Sequence, residues 1–482
     1  MCSSDLVVVR PVIEAIVTEN EGDRYKHVVV INDRTRVPDS LLGRANVIFV
    51  VRESDLYLKY LAIAGRLISN NTFPPYFSRR ESQQYLNMWH GTPIKTLGRD
   101  ITSGQMDHRN ASRNFLHVTH FALPNMFTAD VLLTRYDVAR IFRGSVAVTG
   151  SPRMDTTLGL DSERRNQIRA ALGVAEGDKL LLFAPTWRGT LADKRVDVRE
   201  LEDDLAVMNV PGVHVAFRGH PLMESGIGDL ETDAVIVPPN IDTNELLGAI
   251  DILVSDYSSI AIDGMANGIP TILYVYDLEE YKKDRGLYID PNELPARVVP
   301  NRSQLAASIA ALRDKGEESC ASEDKHEELW RHEDGHATER VIDFFLRNDQ
   351  KDVTCEFGAQ GGKEVLLFEG HFIPNGVTSS AVELNRYLVE CGVGVTLGVE
   401  GAKIVPFEER AAIFKDVQQK VDYLPTVGAA LRTPEETWLN TVFMTKNSLW
   451  SDEQWRILLH AYRREYRRRY GAARFEIGRA HV

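Results

Sequence analysis

Short apolar runs that stop at polar turns recur along the chain, with helical patterns between them. That alternation is the tightest constraint on the fold. Runs of five to eight apolar residues suit strands buried on both faces, and helices between them supply the crossovers that parallel strands need. "HVVVIND" (27–33), "ANVIFVV" (45–51) and "QYLNMWH" (84–90) read as strands, and "SDLYLKYLAIAGRLIS" (54–69) reads as a helix with Ser54 as its N-cap. After "VAVTGSPRMD" (146–155) the pattern restarts with "KLLLFAPTW" (179–187), "VHVAFRGHP" (213–221), "AVIVPP" (234–239), "DILVSDYSS" (251–259) and "PTILYVYD" (270–277). The sequence therefore predicts an α/β protein with two Rossmann-like domains, 7–148 and 149–347, hinged near Gly150 and closed by a helix over 336–348.

A polar, glycine-containing stretch, 348–363, reads as a linker. Beyond it, 364–475 begins another strand–loop–helix–strand pattern, long enough for about one Rossmann unit, and reads as a truncated third domain. Residues 1–6 and 476–482 stand apart. "CSSDL" and "EIGRAHV" can be encoded by one sequencing-adapter oligonucleotide in opposite orientations, so both ends are expected to be adapter-derived and the natural protein to extend past them.

With a net charge of −13, the chain lacks the basic surface that nucleic acid requires. Four scattered cysteines without a CxxC pair fit a reducing compartment and suggest no structural zinc. No apolar run reaches the roughly 18–20 residues that span a bilayer. The expected location is cytoplasmic. The basic stretch 462–475, "YRREYRRRYGAARF", is either a solvated helix face or a contact for anionic lipid.

Four clusters fall where a predicted strand runs out, the edge at which open parallel sheets bind ligands. In "WHGTPIKTLGRD" (89–100), His90 stands before Gly91, Thr92 and Pro93, with Lys95 and Arg99 just beyond; imidazole suits general-base work near neutral pH, although an ordinary turn histidine has the same look. In "FRGHP" (217–221), Arg218 precedes a second strand-end histidine, His220. One histidine per domain, each in a polar turn beside cations, points to a pair facing across a cleft. In "SDYSSIAID" (255–263), Ser258 and Ser259 open a helix whose first N–H groups and dipole favour an anion. There Asp256 sits at the strand end, and Asp263 lies two turns on, where it would reach a ribose hydroxyl. In "APTWRG" (184–189), Thr186 and Arg188 follow a strand, and Arg188 offers a bidentate clamp for phosphate. "EDD" (202–204) reads as a solvated face, not a metal site.

These residues together resemble the CDP-glycerol glycerophosphotransferase family, the teichoic acid primases and polymerases. The resemblance runs over about 7–346. It is carried by "WHGTPIK" (89–95), "TGSPRMD" (149–155), "PTWR" (185–188), "RGHP" (218–221), "DYSSIAID" (256–263) and "GLYID" (286–290), in order. Ile94 replaces the family's usual leucine, and the first strand of the fold is missing.

The resemblance implies a GT-B fold, two Rossmann-like domains facing a cleft. It further implies transfer of glycerol phosphate from CDP-glycerol to a hydroxyl of a lipid-linked acceptor, with release of CMP, at the inner face of the bacterial cell membrane. His90 and His220 become the catalytic pair, His90 as base, with exchange of their roles left open. Thr186, Arg188, Arg218, Asp256, Ser258, Ser259 and Asp263 become the donor site. Gly91, Thr92, Lys95, Arg99, Arg153 and Asp155 become acceptor-side or supporting residues. No metal or cofactor is implied beyond CDP-glycerol as donor substrate. The piece from Glu364 resembles the opening of a GT-B glycosyltransferase. The alternatives are a nucleotide-sugar epimerase or hydrolase on the same fold, and a non-catalytic nucleotide-binding protein.

Overall fold

The computed structural model describes residues 6–19, 25–32, 37, 39–101, 106–186, 198–219, 230–315, 326–349, 363–368, 371–473 and 475–477. In the first domain, β1 (His27–Ile31) and β2 (Val47–Val51) pair in parallel. A second parallel sheet runs in the order β3 (Arg66–Ser69), β4 (Gln84–Asn87), β5 (His120–Leu123) and β6 (Ser145–Val148). The helix expected over 54–69 is shorter. Ser54 Oγ does accept the Tyr57 N–H at 3.2 Å, but the helix covers only Asp55–Ile63. Gly65 follows its cap, and "RLIS" is β3, because a ladder to β4 outweighs the local 3.6-residue pattern.

The second domain holds a six-stranded parallel sheet built from β7 (Lys179–Phe183), β8 (Val213–Phe217), β9 (Val235–Ile236), β10 (Ile252–Ser255), β11 (Thr271–Tyr274) and β12 (Arg297–Val299). Its order is β12-β11-β10-β7-β8-β9. The winding reverses between β7 and β10. Chain leaving these two strands must diverge there, and that opens a crevice at their carboxyl ends.

The chain crosses between domains at Gly150, whose φ is +76°, and a Cβ there would lie 2.2 Å from the His332 carbonyl oxygen. It returns through the helix Ala337–Ile342 and a π-turn, Asp343–Arg347. Phe344 and Phe345 then pack on His120 of β5, with ring centroids 5.0 and 5.2 Å away. They join a core with Val29, Leu86 and Ala147, so the last helix of the second domain is anchored in the first.

The third unit carries β13 (Glu364–Leu367), β14 (Gly394–Val399), β15 (Asp422–Pro425) and β16 (Glu476–Ile477), parallel in the order β15-β14-β13-β16. β16 falls within the stretch read as adapter-derived, and most of the expected linker lies outside the described residues. The unit is more than a tethered appendage. Its Leu366, Leu424, Tyr470 and Ala473 share one hydrophobic cluster with Phe115, Leu116 and Tyr136 of the first domain. The basic stretch at 462–475 is largely engaged by protein: Arg464 pairs with Glu436, Arg467 with Glu81, and the buried Arg468 with Glu465. Among the described residues, no helix is long and apolar enough to cross a membrane.

Candidate active site

The imidazole at the end of β4 is placed by its neighbours in sequence. Asn87 Oδ1 accepts the Trp89 N–H at 2.8 Å and holds Trp89 at φ +52°, a conformation that bulky residues rarely adopt. The turn buries the indole and leaves His90 exposed, its ring stacked on Trp89 at 4.1 Å between centroids. His90 Nδ1 lies 3.2 Å from the Asn70 carbonyl oxygen. A carbonyl accepts only from N–H, so this contact puts the ring proton on Nδ1 and the lone pair on Nε2, the tautomer a general base needs.

The next residue brings this turn against the other domain. Gly91 has φ +129°, and a Cβ on it would lie 2.5 Å from Arg153 Nη2 and 3.2 Å from Ser259 Oγ. Arg153, from the crossing segment, is buried; it donates from Nη1 to the His90 carbonyl and from Nη2 to Asp263 Oδ1, each at 2.8 Å. One guanidinium thus ties the histidine turn to the helix Ser259–Ala266. Thr92 Oγ1 accepts from Asn125 Nδ2 at 2.8 Å, and Lys95 forms a backbone bridge to Leu287 of the second domain.

The helix Ser259–Ala266 starts at the winding reversal, after β10. Ser258 is its N-cap, with φ −84° and ψ 143°, and its hydroxyl makes no capping bond. The first N–H groups are therefore not capped by that side chain, and the dipole adds partial positive charge. Asp256 closes the crevice floor, accepting the Thr186 N–H at 2.8 and 3.0 Å on its two oxygens and so joining the ends of β7 and β10. Tyr257 stacks on Tyr281 at 3.9 Å below them.

His90, Gly91, Arg153, Ser258, Ser259 and Asp263 are thus brought together, with Asp256 and Thr186 on the crevice floor. Other expected site residues are occupied elsewhere. Arg99, expected on the acceptor side, pairs with Asp137, reaches the Gln418 carbonyl and lies over the Tyr423 ring at 5.3 Å, which ties the first domain to the third unit. Asp155 accepts the N–H groups of Ala337 and Thr338 at 3.1 and 2.6 Å and caps the returning helix. Arg218, expected on the donor side, donates to Thr243 Oγ1 and to the Pro238 and Ile241 carbonyls and so braces that loop. Asp263 binds Arg153 where a ribose contact was expected. Asp204, read as part of a solvated face, is buried and bonds to Tyr274 and Arg302. His220 and Arg188 lie outside the described residues.

One carboxyl escaped the sequence reading. Glu333 accepts the Ser151 N–H on both oxygens, at 3.1 and 2.9 Å, beside the crossing point. Burial pushes its pKa up to about 8, and the neighbouring charge of Asp263 adds to the rise. A lone glutamate 182 residues from its partner in sequence leaves no motif to find. Among the described residues, no group of three His, Cys, Asp or Glu side chains is arranged to hold a metal ion.

Two facing Rossmann-like domains, with an imidazole turn from one set against an anion-ready helix start of the other, define a GT-B-type protein. The fold matches that of the wall teichoic acid polymerase TagF with a TM-score of 0.61, at 23% identity, over 72% of this chain and 86% of that one. The family described as CDP-glycerol:poly(glycerophosphate) glycerophosphotransferase matches residues 12–347, and the chain belongs to it. It is 27% identical to the teichoic acid poly(glycerol phosphate) polymerase of Staphylococcus epidermidis over 57% of its own length, and spans 40% of that relative. To the teichoic acid glycerol-phosphate transferase of Staphylococcus aureus it is 26% identical, over 63% of this chain and 81% of that one.

Proposed function

We propose that the chain transfers glycerol phosphate, or a related polyol phosphate, from a CDP-activated donor to a hydroxyl of a lipid-linked acceptor in teichoic acid or a related surface polymer. The acceptor oxygen attacks the polyol-bearing phosphorus, the phosphoanhydride bond breaks, and CMP leaves with the electron pair. His90 Nε2 takes the acceptor's proton. The helix start at Ser258 and Ser259 holds the donor diphosphate, with Thr186 beside it, while Arg153 keeps the turn and the helix in register. His220 and Arg188 are assigned to the same donor side, and the roles of His90 and His220 are interchangeable in this reading. Work on a lipid-linked acceptor places the enzyme peripherally at the inner face of the cell membrane. The third unit is read as part of a glycosyltransferase-like domain.

The observation that carries this reading is the approach of Gly91 to Ser259, which makes a proton acceptor and an anion site neighbours across the domain boundary. An alcohol attacking a phosphoanhydride needs both, a base for its proton and positive potential for the developing charge.

The test is CMP release from CDP-glycerol, CDP-ribitol and UDP-sugars, each with and without a lipid-linked acceptor. We expect acceptor-dependent release from a CDP-polyol, reduced by about 10²–10⁴ in His90→Ala. Undiminished release in that variant removes His90 from the mechanism, and acceptor-independent turnover of a UDP-sugar replaces the reading altogether.

A further inference from the structure

His90 leaves the end of β4, and Asn70, whose carbonyl meets its ring, leaves the end of β3 beside it. Ser69 faces Asn87 in the ladder, and the Met88 N–H donates to the Ser69 carbonyl at 3.0 Å. Beyond that bond the two chains part into separate turns. The ladder no longer sets their spacing there, so the contact between His90 and Asn70 depends on side chains.

One side chain spans the gap. Asn87 is buried, and both ends of its carboxamide are used. Oδ1 accepts the N–H of Trp89, two residues on, at 2.8 Å, as in an Asx-turn. Nδ2 donates to the Asn71 carbonyl at 2.9 Å and to Tyr85 Oη at 3.0 Å. An amide oxygen only accepts and an amide nitrogen only donates, so these partners fix which way the group points. The first grip acts on the residue that carries the imidazole, by covalent connection and by the stack of Trp89 on His90. The second acts one residue past the carbonyl that meets Nδ1. The two grips therefore lie on opposite sides of the His90–Asn70 contact.

The loop after β3 is otherwise held mainly at its far end. Asn114 accepts the Phe73 N–H at 2.8 Å and donates to the Phe73 carbonyl at 3.0 Å. At the near end, Asn70 is buried, yet neither polar atom of its side chain has a hydrogen-bond partner among the described residues. The Asn71 carbonyl also accepts from Ser69 Oγ at 3.1 Å and Tyr85 Oη at 3.3 Å, both longer than the bond from Asn87.

We propose that Asn87 is a positioning residue for the transfer: its carboxamide locks the His90 turn to the loop after β3 and so keeps the imidazole proton on Nδ1. The inference builds on His90 as the base. Without the grip on Asn71 the loop shifts, Nδ1 loses its acceptor, and the ring also samples the Nε2–H tautomer. In that form the nitrogen needed for the acceptor's proton already carries one.

Two variants separate the grips. Asn87→Ser keeps a hydroxyl that can accept from Trp89 but is too short to reach Asn71, and Asn87→Ala loses both contacts. CMP release from CDP-glycerol with a lipid-linked acceptor gives kcat and the donor KM. Nitrogen NMR spectra of protein labelled at histidine, taken near pH 8 where imidazole is neutral, give the tautomer; the His90 signal is the one absent from His90→Ala. We expect Nδ1–H in the parent and a mixture in both variants, with kcat lower by about tenfold to a hundredfold and the donor KM within about twofold. A parent ring with its proton on Nε2 overturns the proposal, as does an unchanged tautomer in the variants. So does full kcat in both variants where His90→Ala is impaired, or a rise in donor KM without a fall in kcat. Loss of folding in both variants counts against it as well, because Asn87 is then a structural residue. Undiminished release in His90→Ala is a separate failure, that of the base assignment, and the spectra still report whether Asn87 fixes the ring.

Discussion

Glu333 shows how one residue can carry a pH signature that a sequence does not print. Its carboxyl keeps a proton up to about pH 8 in the folded chain, against an ordinary value of 4.5. Between those values the native state binds more protons than the unfolded state, so stability is full below about 4.5, falls as pH rises, and is lost above about 8. Glu333→Gln imitates the protonated form at every pH. We expect melting temperatures between pH 5 and 9 to decline more steeply in the parent than in this variant, by an amount worth roughly a few kcal/mol over the window. Parallel declines would show that Glu333 is not the titrating group. Gly91 makes a related point in steric terms. Its φ of +129° is open only to glycine, and the close approach to Ser259 exists because no side chain intervenes.

At the scale of elements, the docking of the helix Asp452–Tyr470 rests on a buried guanidinium. Arg468 pairs with Glu465 at 2.9 Å and donates to the carbonyls of Pro75, Val427 and Ala429. Its own carbonyl accepts from Arg113 Nη1, and His117 Nε2 lies 3.0 Å away. Burial pushes the His117 pKa down to about 3, so the ring is neutral and donates from Nε2. Removing Arg468 takes from the buried Glu465 its close cation partner and leaves Arg469, 3.6 Å away, as a looser one. Arg468→Ala should therefore cost about 3–5 kcal/mol in urea unfolding, far more than an exposed ion pair is worth. A loss below about 1 kcal/mol would mean that the shared apolar cluster alone holds the unit in place. The sequence showed a basic run with lipid as one candidate partner, and the fold buries Arg468 and pairs Arg464 and Arg467 with carboxylates of the protein.

At the scale of the molecule, three units are joined by shared cores. The returning helix buries Phe344 and Phe345 in the first domain, and the third unit places Tyr470 and Leu424 beside Phe115 and Tyr136. Cutting the chain after Asp349 uncovers that second apolar surface, Phe115 and Tyr136 among it. The shortened protein is expected to melt several degrees lower and to bind ANS, measured by thermal scans and dye fluorescence. An unchanged melting temperature would show that the third unit contributes no stability to the pair of domains.

The sequence by itself determined most of the strands, because a run such as "KLLLF" or "DILVS" is buried wherever it is placed, although the ladder to β4 and not the local pattern made "RLIS" a strand, and it determined which turns end them, because glycine, serine and histidine at strand ends are local chemistry. From those turns the histidine motif and the Ser258 helix start could be read before any coordinates. Only the tertiary structure decided which charged residues serve the site. Arg153 reaches Asp263 across 110 residues, while Arg99, Arg218 and Asp155 turn to Asp137, to the loop before Thr243 and to the returning helix. A charged side chain is long and takes the best partner that packing brings within reach, and that choice is made between segments far apart in the chain.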